Sequence, residues 1–252
     1  MQVRCRLPHP SLSICLGAFA LLAVLPALAC GDGDSGSSTG KVTLDPKRGD
    51  ELAHAAILAA TDLPGSGWDV SRDDEFSDDV AFPDTAPCGN VKTKSDQAKA
   101  QAKTDRAGRA ERQYSRDSES GITTDVEVEV SVYSTVKTVT DTFKLAKDVF
   151  TGTDFMACVQ DTYAEAVNEG VKLEVKEGKL LATAPNGGVG RAIDVNLELN
   201  TDKAQIHLET YLWPFGNVGV QVTVSGDSTD LTREVVKAAL AKTQAKLEAA
   251  SK

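Results

Sequence analysis

Aromatic residues are scarce in this chain, at 5% of 252 positions, and histidine occurs only three times, at His9, His54 and His207. No HExxH helix and no Cys-x-x-Cys pair is present, and no Gly-x-Ser-x-Gly elbow joins a strand to a helix, so zinc and serine-hydrolase chemistry are not expected. Positive charge is also in short supply. The formal net charge is -10, which repels nucleic acid and anionic lipid from the surface of the folded part. Long hydrophobic runs are missing too. The apolar, uncharged stretch from Ile14 to Leu28 falls short of the roughly 20 apolar residues of a membrane-spanning helix and carries Pro26 near its end.

What that stretch does fit is a signal peptide, with Arg4 and Arg6 as its positive start. Removing them leaves 25 basic against 37 acidic residues, a mature charge near -12. The cleavage region Pro26-Ala27-Leu28-Ala29-Cys30, followed by the polar run Gly31 to Gly40, resembles a lipoprotein signal, in which a small residue precedes a lipidated cysteine and a flexible tether follows. Ala27 and Leu28 stand where that pattern prefers Leu and a small residue. Ala27-x-Ala29 also suits ordinary signal peptidase, which would cut the same bond and release a soluble protein. The expected organisation is a signal peptide over 1–29, a lipidated Cys30 with its tether over 30–49, and one domain over 50–252, anchored outside the bacterial membrane through lipid on Cys30.

Five cysteines occur, of which Cys5 and Cys15 leave with the leader. An odd cysteine in an exported chain wants an explanation. If Cys88 and Cys158 pair, Cys30 is left over, and lipidation removes it from thiol chemistry. The alternative is two free, buried thiols, which an oxidising compartment disfavours. Closing a loop of this length stabilises a fold by roughly 4 kcal/mol on the chain-entropy model.

Periodicity supplies the elements. Asp50 to Ala60 reads as a short helix, and the composition of residues 96 to 113 leaves helix and strand both open. Val126, Val128, Val130 and Val132 alternate with polar residues over Thr124 to Tyr133, a strand with one buried face. Val136, Val139, Phe143, Ala146 and Phe150 then recur at helical spacing, and Thr153-Asp154 opens a second helix that turns Phe155, Cys158 and Val159 inward. Four more strands follow, from Val171, Arg191, Gln205 and Val218, separated by short polar or glycine-containing breaks that favour antiparallel hairpins. A final helix runs from near Thr229 towards Ala250. The expected class is α+β: one antiparallel sheet with helices packed on one face, the other face polar.

Two clusters stand out against this frame. The acidic segment with Asp73, Asp74, Glu75, Asp78 and Asp79 lacks the spacing of an EF-hand and reads as a solvated loop, with no metal expected. Gly187-Gly188-Val189-Gly190 precedes a strand, not a helix, and so reads as a turn instead of a phosphate cradle. On the sheet face opposite the apolar rows the phasing places Glu127, Glu129, Asp194, Asn196 and Glu198, then His207, Glu209, Tyr211 and Trp213. Carboxylates with two aromatics would recognise a cationic or hydroxyl-rich ligand, and that face is expected to be accessible. A plain solvated face is the alternative.

Taken together, Leu63-Pro64-x-x-x-Trp68, Cys88, the strand ending Val132-Tyr133-Ser134, the helix carrying Phe155-Met156-Ala157-Cys158-Val159, the hairpins and the last helix resemble the extracytoplasmic sensor domain of PknH-type serine/threonine kinases. The resemblance covers about residues 50 to 250 and implies an antiparallel sheet with helices, internal disulfides and a ligand-sized cleft. This chain departs from the kinase version in lacking a kinase domain and in offering one disulfide. The expectation is a non-enzymatic lipoprotein that binds a small ligand or an envelope partner, with no cofactor and no nucleic acid. Two rivals are a carrier of a hydrophobic molecule, which requires an internal cavity, and a hydrolase with an unrecognised carboxylate pair, which requires two acids converging in a cleft.

Overall fold

The structure is a computed structural model, which describes residues 45–74, 82–117, 123–166, 172–176, 180–181, 184–199, 202–227 and 229–250. The signal peptide, Cys30 and most of the acidic segment lie outside the described residues. No helix among those described is long and apolar enough to cross a membrane.

Among the described residues five α-helices and eight strands follow one another: α1 (Pro46–Ala56), β1 (Asp69–Asp73), α2 (Ala86–Lys103), β2 (Arg106–Arg116), β3 (Thr124–Tyr133), α3 (Val136–Thr151), α4 (Thr153–Ala166), β4 (Lys172–Lys176), β5 (Leu180–Leu181), β6 (Val189–Leu199), β7 (Asp202–Phe215), β8 (Val218–Gly226) and α5 (Thr229–Ala250). The strands form one antiparallel sheet in the order β1-β2-β3-β8-β7-β6-β4, with β5 added to β6. The class is therefore α+β, a single domain on an antiparallel sheet.

Local chemistry sets the helix boundaries. Asp45 caps α1 by accepting from the Lys47 amide at 3.2 Å, with Pro46 in the first turn. Thr135 caps α3 by accepting from the Thr138 amide at 3.1 Å. Extended backbone at Gly152 then separates α3 from α4. Within α3 the buried stripe is Val139, Thr142, Ala146, Val149 and Phe150, and Phe143 is partly buried. Val136, expected in that stripe, is instead 57% exposed, while Thr138 and Val139 of the same turn are buried.

The helices cover both faces of the sheet, not one. Cross-strand register explains why. Val126, Val128 and Val130 of β3 stand opposite Val224, Val222 and Val220 of β8, and these in turn stand opposite Glu209, Tyr211 and Trp213 of β7. All share the first face, where Ala53 and Ala56 of α1 and Val235, Ala239 and Leu247 of α5 close the core. On β7 the apolar row Ile206, Leu208 and Leu212 points the other way, opposite Val195, Ile193 and Val189 of β6. That second face is closed by α2, α3 and α4 through Val91, Ala146, Val149, Phe155 and Val159. The apolar side thus switches between the two halves of one sheet. Each half needs its own helical cover, since every buried Val or Leu contributes about 1.5–3 kcal/mol only if water is excluded.

Cys88 in the first turn of α2 and Cys158 in α4 are bonded, with Cα atoms 4.6 Å apart. The bond joins two of the three helices on the second face.

Candidate functional site

The residues singled out on β7 are brought together, but not on an accessible surface. His207 donates through Nδ1 to Asp194 Oδ1 at 2.6 Å and through Nε2 to Glu209 Oε1 at 3.0 Å when its ring is protonated, and the Tyr211 hydroxyl donates to Glu209 Oε2 at 2.7 Å. Glu209 hydrogen-bonds His207 most strongly among the groups that raise the His207 pKa above its ordinary value. Burial pushes Glu209 upward, yet the hydrogen bonds from His207 and Tyr211 outweigh it and hold the carboxyl below its ordinary value.

All four residues of the expected surface are buried: His207, Glu209 and Tyr211 are at most 6% exposed and Trp213 only 1%. The expectation of an open recognition face there is corrected. It rested on helices lying on one side only, whereas α5 and the 3-10 turn Pro185–Gly187 pack over this part of the sheet. Glu127 and Glu129, expected beside His207, belong to the opposite face, because Glu127 aligns with Thr223 and Glu129 with Gln221.

The glycine-rich segment is explained by the same aromatics. A Cβ on Gly188 would stand 2.6 Å from the Trp213 Cβ, and one on Gly190 would stand 2.7 Å from the Tyr211 ring. Gly190 lies against the Tyr211 ring, and Gly188 against the backbone and Cβ of the Leu212–Trp213 segment. In the acidic segment, Asp73 pairs with Arg112 at 2.7 Å and Asp74 with His54 at 2.8 Å, so both engage protein groups. Among the described residues no group of three His, Cys, Asp or Glu is placed to hold a metal.

A different constellation occupies the second face of β2, β3 and β8. Arg72 bridges Glu111 and Glu127, the latter at 3.1 Å, and Arg109 bridges Glu129 Oε1 at 3.1 Å and Glu111 Oε2 at 3.4 Å. Burial, then the neighbouring Glu111, pushes the Glu127 carboxyl up to about 7. Burial and then Glu129 also raise Glu111. Three carboxylates thus face two guanidinium groups. Just before β2, Asp105 accepts from the Thr138 hydroxyl of α3 at 2.6 Å.

Beside this network a cleft lies between α3 and the sheet, about 360 Å³ with its open mouth and about 20 Å³ at its core. Glu129, Ser131 and Gln221 line it from the sheet, Thr142 and Phe143 from α3, and Tyr133 also borders it. Gly219 keeps the strand side bare. Ser131 Oγ donates to Glu129 Oε1 at 3.2 Å, so that oxygen receives both Arg109 and Ser131. Glu129 Oε2, Thr142 Oγ1 and both amide atoms of Gln221 have no hydrogen-bond partner, although the three residues are only 2–3% exposed. Leaving such a group unpaired costs about 1–3 kcal/mol, and several of these atoms belong to residues around one space. A wider, open concavity at the far edge, near Glu174, Asn196 and Gln205, carries no such atoms. Asn196 there donates to Glu174 at 3.4 Å.

Sequence reasoning missed Thr142 and Gln221. The signal was the polar row of β8, Gly219, Gln221, Thr223 and Ser225, which contains no charge. A row facing solvent usually carries charged side chains, and a neutral polar row marks a face that is covered but not apolar.

No family model matches the chain, and no curated protein matches it. The sensor-domain resemblance read from the sequence and the similarity found among solved structures concern the same kind of domain. The chain is similar to the extracellular domain of PknH from Mycobacterium tuberculosis, with 14% identity and a TM-score of 0.48 over 83% of this chain and 100% of that one.

Proposed function

We propose that this chain is an exported, non-enzymatic lipoprotein that binds a small ligand outside the cell, in the cleft between α3 and the sheet. The observation that carries the reading is the set of unpartnered buried atoms on Glu129, Thr142 and Gln221 around that space. The acidic groups support binding over catalysis. Glu111 and Glu127 are held by Arg72, and of the three carboxylates only Glu129 borders the cleft. Its 20 Å³ core also falls far short of what a lipid-sized cargo needs.

Export and anchoring rest on the leader and on Cys30. Lipid contributes about 0.8 kcal/mol per buried methylene, and more than one chain makes an anchor durable. Cys30→Ser is expected to move the protein from the membrane fraction to the medium. A wild type already free in the medium would replace anchoring with ordinary secretion.

The cleft is tested by plugging it. A Cβ on Gly219 meets Tyr133 only at 3.5 Å, so Gly219→Leu places its side chain in the open space. Wild type and variant are equilibrated with an envelope small-molecule extract, and the retained compounds are identified by mass spectrometry. Compounds retained by the wild type and lost by the folded variant support the reading. An identical retained set from both overturns it.

A further inference from the structure

We infer that the cleft takes the ammonium group of a small primary amine, with its short apolar body lying at the mouth. This rests on the binding role proposed for the cleft and names the chemistry it selects. The polar groups ask for a ligand that both donates and accepts. Glu129 Oε2 and Gln221 Oε1 accept only, the Gln221 amide nitrogen and the Trp213 indole nitrogen donate only, and the Thr142 hydroxyl does either. An ammonium supplies three donors to the first two and to the threonine oxygen. A hydroxyl or carbonyl near the amine's carbon satisfies the Gln221 amide. Charge points the same way, since the charged side chain among those lining the cleft is an acid, Glu129.

Size narrows the class. A core of about 20 Å³ suits one water-sized group, which an ammonium matches and a trimethylammonium exceeds. Apart from Ser131 and Gly219 the remaining wall is apolar or aromatic, made by Tyr133, Val139, Phe143, Trp213 and Val220. Those surfaces suit an alkyl or aryl body, and an aromatic ring near the cation adds a favourable electrostatic contact.

The test uses the ¹⁵N-labelled protein titrated with n-butylammonium chloride, tetramethylammonium chloride, n-butanol and sodium butyrate, with amide shifts followed by NMR. Saturable shifts confined to residues 129–133, 139–143 and 219–221 are expected with n-butylammonium. At least tenfold weaker binding is expected for n-butanol, and none for butyrate or tetramethylammonium. Glu129→Gln keeps the shape, removes the charge, and is expected to weaken n-butylammonium at least tenfold. If that variant does not fold, the wild-type contrast between amine and alcohol decides, with Thr142→Val as the second variant, expected to weaken the amine severalfold. Equal binding of n-butanol overturns the ammonium assignment while leaving the cleft a binding site. So does saturable butyrate binding at the same residues. No saturable response to n-butylammonium overturns the inference, and the plugged variant then judges the cleft by itself.

Discussion

The guanidinium carbon of Arg116 lies 4.4 Å from the centre of the Trp68 ring, and both side chains donate to one acceptor, the Pro64 carbonyl, at 3.0 and 2.9 Å. The Leu63-Pro64-x-x-x-Trp68 pattern is thereby a clamp that folds the chain after α1 back onto the end of β2. Arg116→Lys retains the charge but loses the planar stack. It is expected to cost about 1 kcal/mol in urea denaturation, and Arg116→Ala about 2 kcal/mol. An unchanged midpoint for both variants would show that the clamp contributes nothing.

Gly188 and Gly190 admit no side chain. Gly188→Ala sets a methyl 2.3 Å from the Leu212 carbonyl oxygen. Gly190→Ala presses on a tyrosine whose hydroxyl is tied to Glu209 at 2.7 Å and cannot swing aside. Each is expected to destabilise the fold by about 1–3 kcal/mol. Gly89→Ala in α2, where nothing lies within 4 Å, serves as control and is expected to be neutral or stabilising by up to about 1 kcal/mol.

The Asp194–His207–Glu209 chain makes stability depend on pH. His207 has a raised pKa, so its contribution is complete below its unfolded value near 6.5 and is lost as pH rises through the folded value. Glu209 has a lowered pKa, so its contribution is complete above its unfolded value near 4.5 and is lost as pH falls through the folded value. The wild type is therefore expected to exceed His207→Gln most between about pH 4.5 and 6.5, and the difference to shrink towards pH 8. Denaturation midpoints of the two proteins across that range provide the check. A difference that grows above pH 6.5 would contradict the assignment.

The Cys88–Cys158 bond closes a loop with a sequence separation of 70. The double change Cys88→Ala and Cys158→Ala is expected to lower stability by roughly 4 kcal/mol on the chain-entropy model. Unfolding the unreduced wild type in the presence of a thiol reagent is expected to label neither cysteine. Labelling of both would show that the pair is not bonded.

Much of the fold was legible because its signals are local. The alternating valines of β3 and β8, the three-and-four spacing of α3 and the Thr153-Asp154 start of α4 each need only a dozen neighbouring residues to read. The pairing of faces was not legible, because it depends on register between distant segments. Val224 opposite Glu209 joins an apolar row to a polar one, and no periodicity within either strand reveals that. β2 escaped for a different reason. Its buried residues include Arg109 and Glu111, which neutralise one another where apolar side chains would ordinarily stand, so its composition reads as surface. The pair Cys88 and Cys158 was found by parity, and the Asp194–His207–Glu209–Tyr211 set by phasing, although its burial was not.

The contact of Gly188 and Gly190 with Trp213 and Tyr211 also bears on how this protein varies by descent. In an interior packed as densely as a crystal, two positions in van der Waals contact do not mutate independently. A descendant bearing a side chain at position 190 has to carry something smaller than tyrosine at 211, and it then forfeits the hydroxyl that holds Glu209. A change at position 190 is therefore expected to require a change at 211 as well.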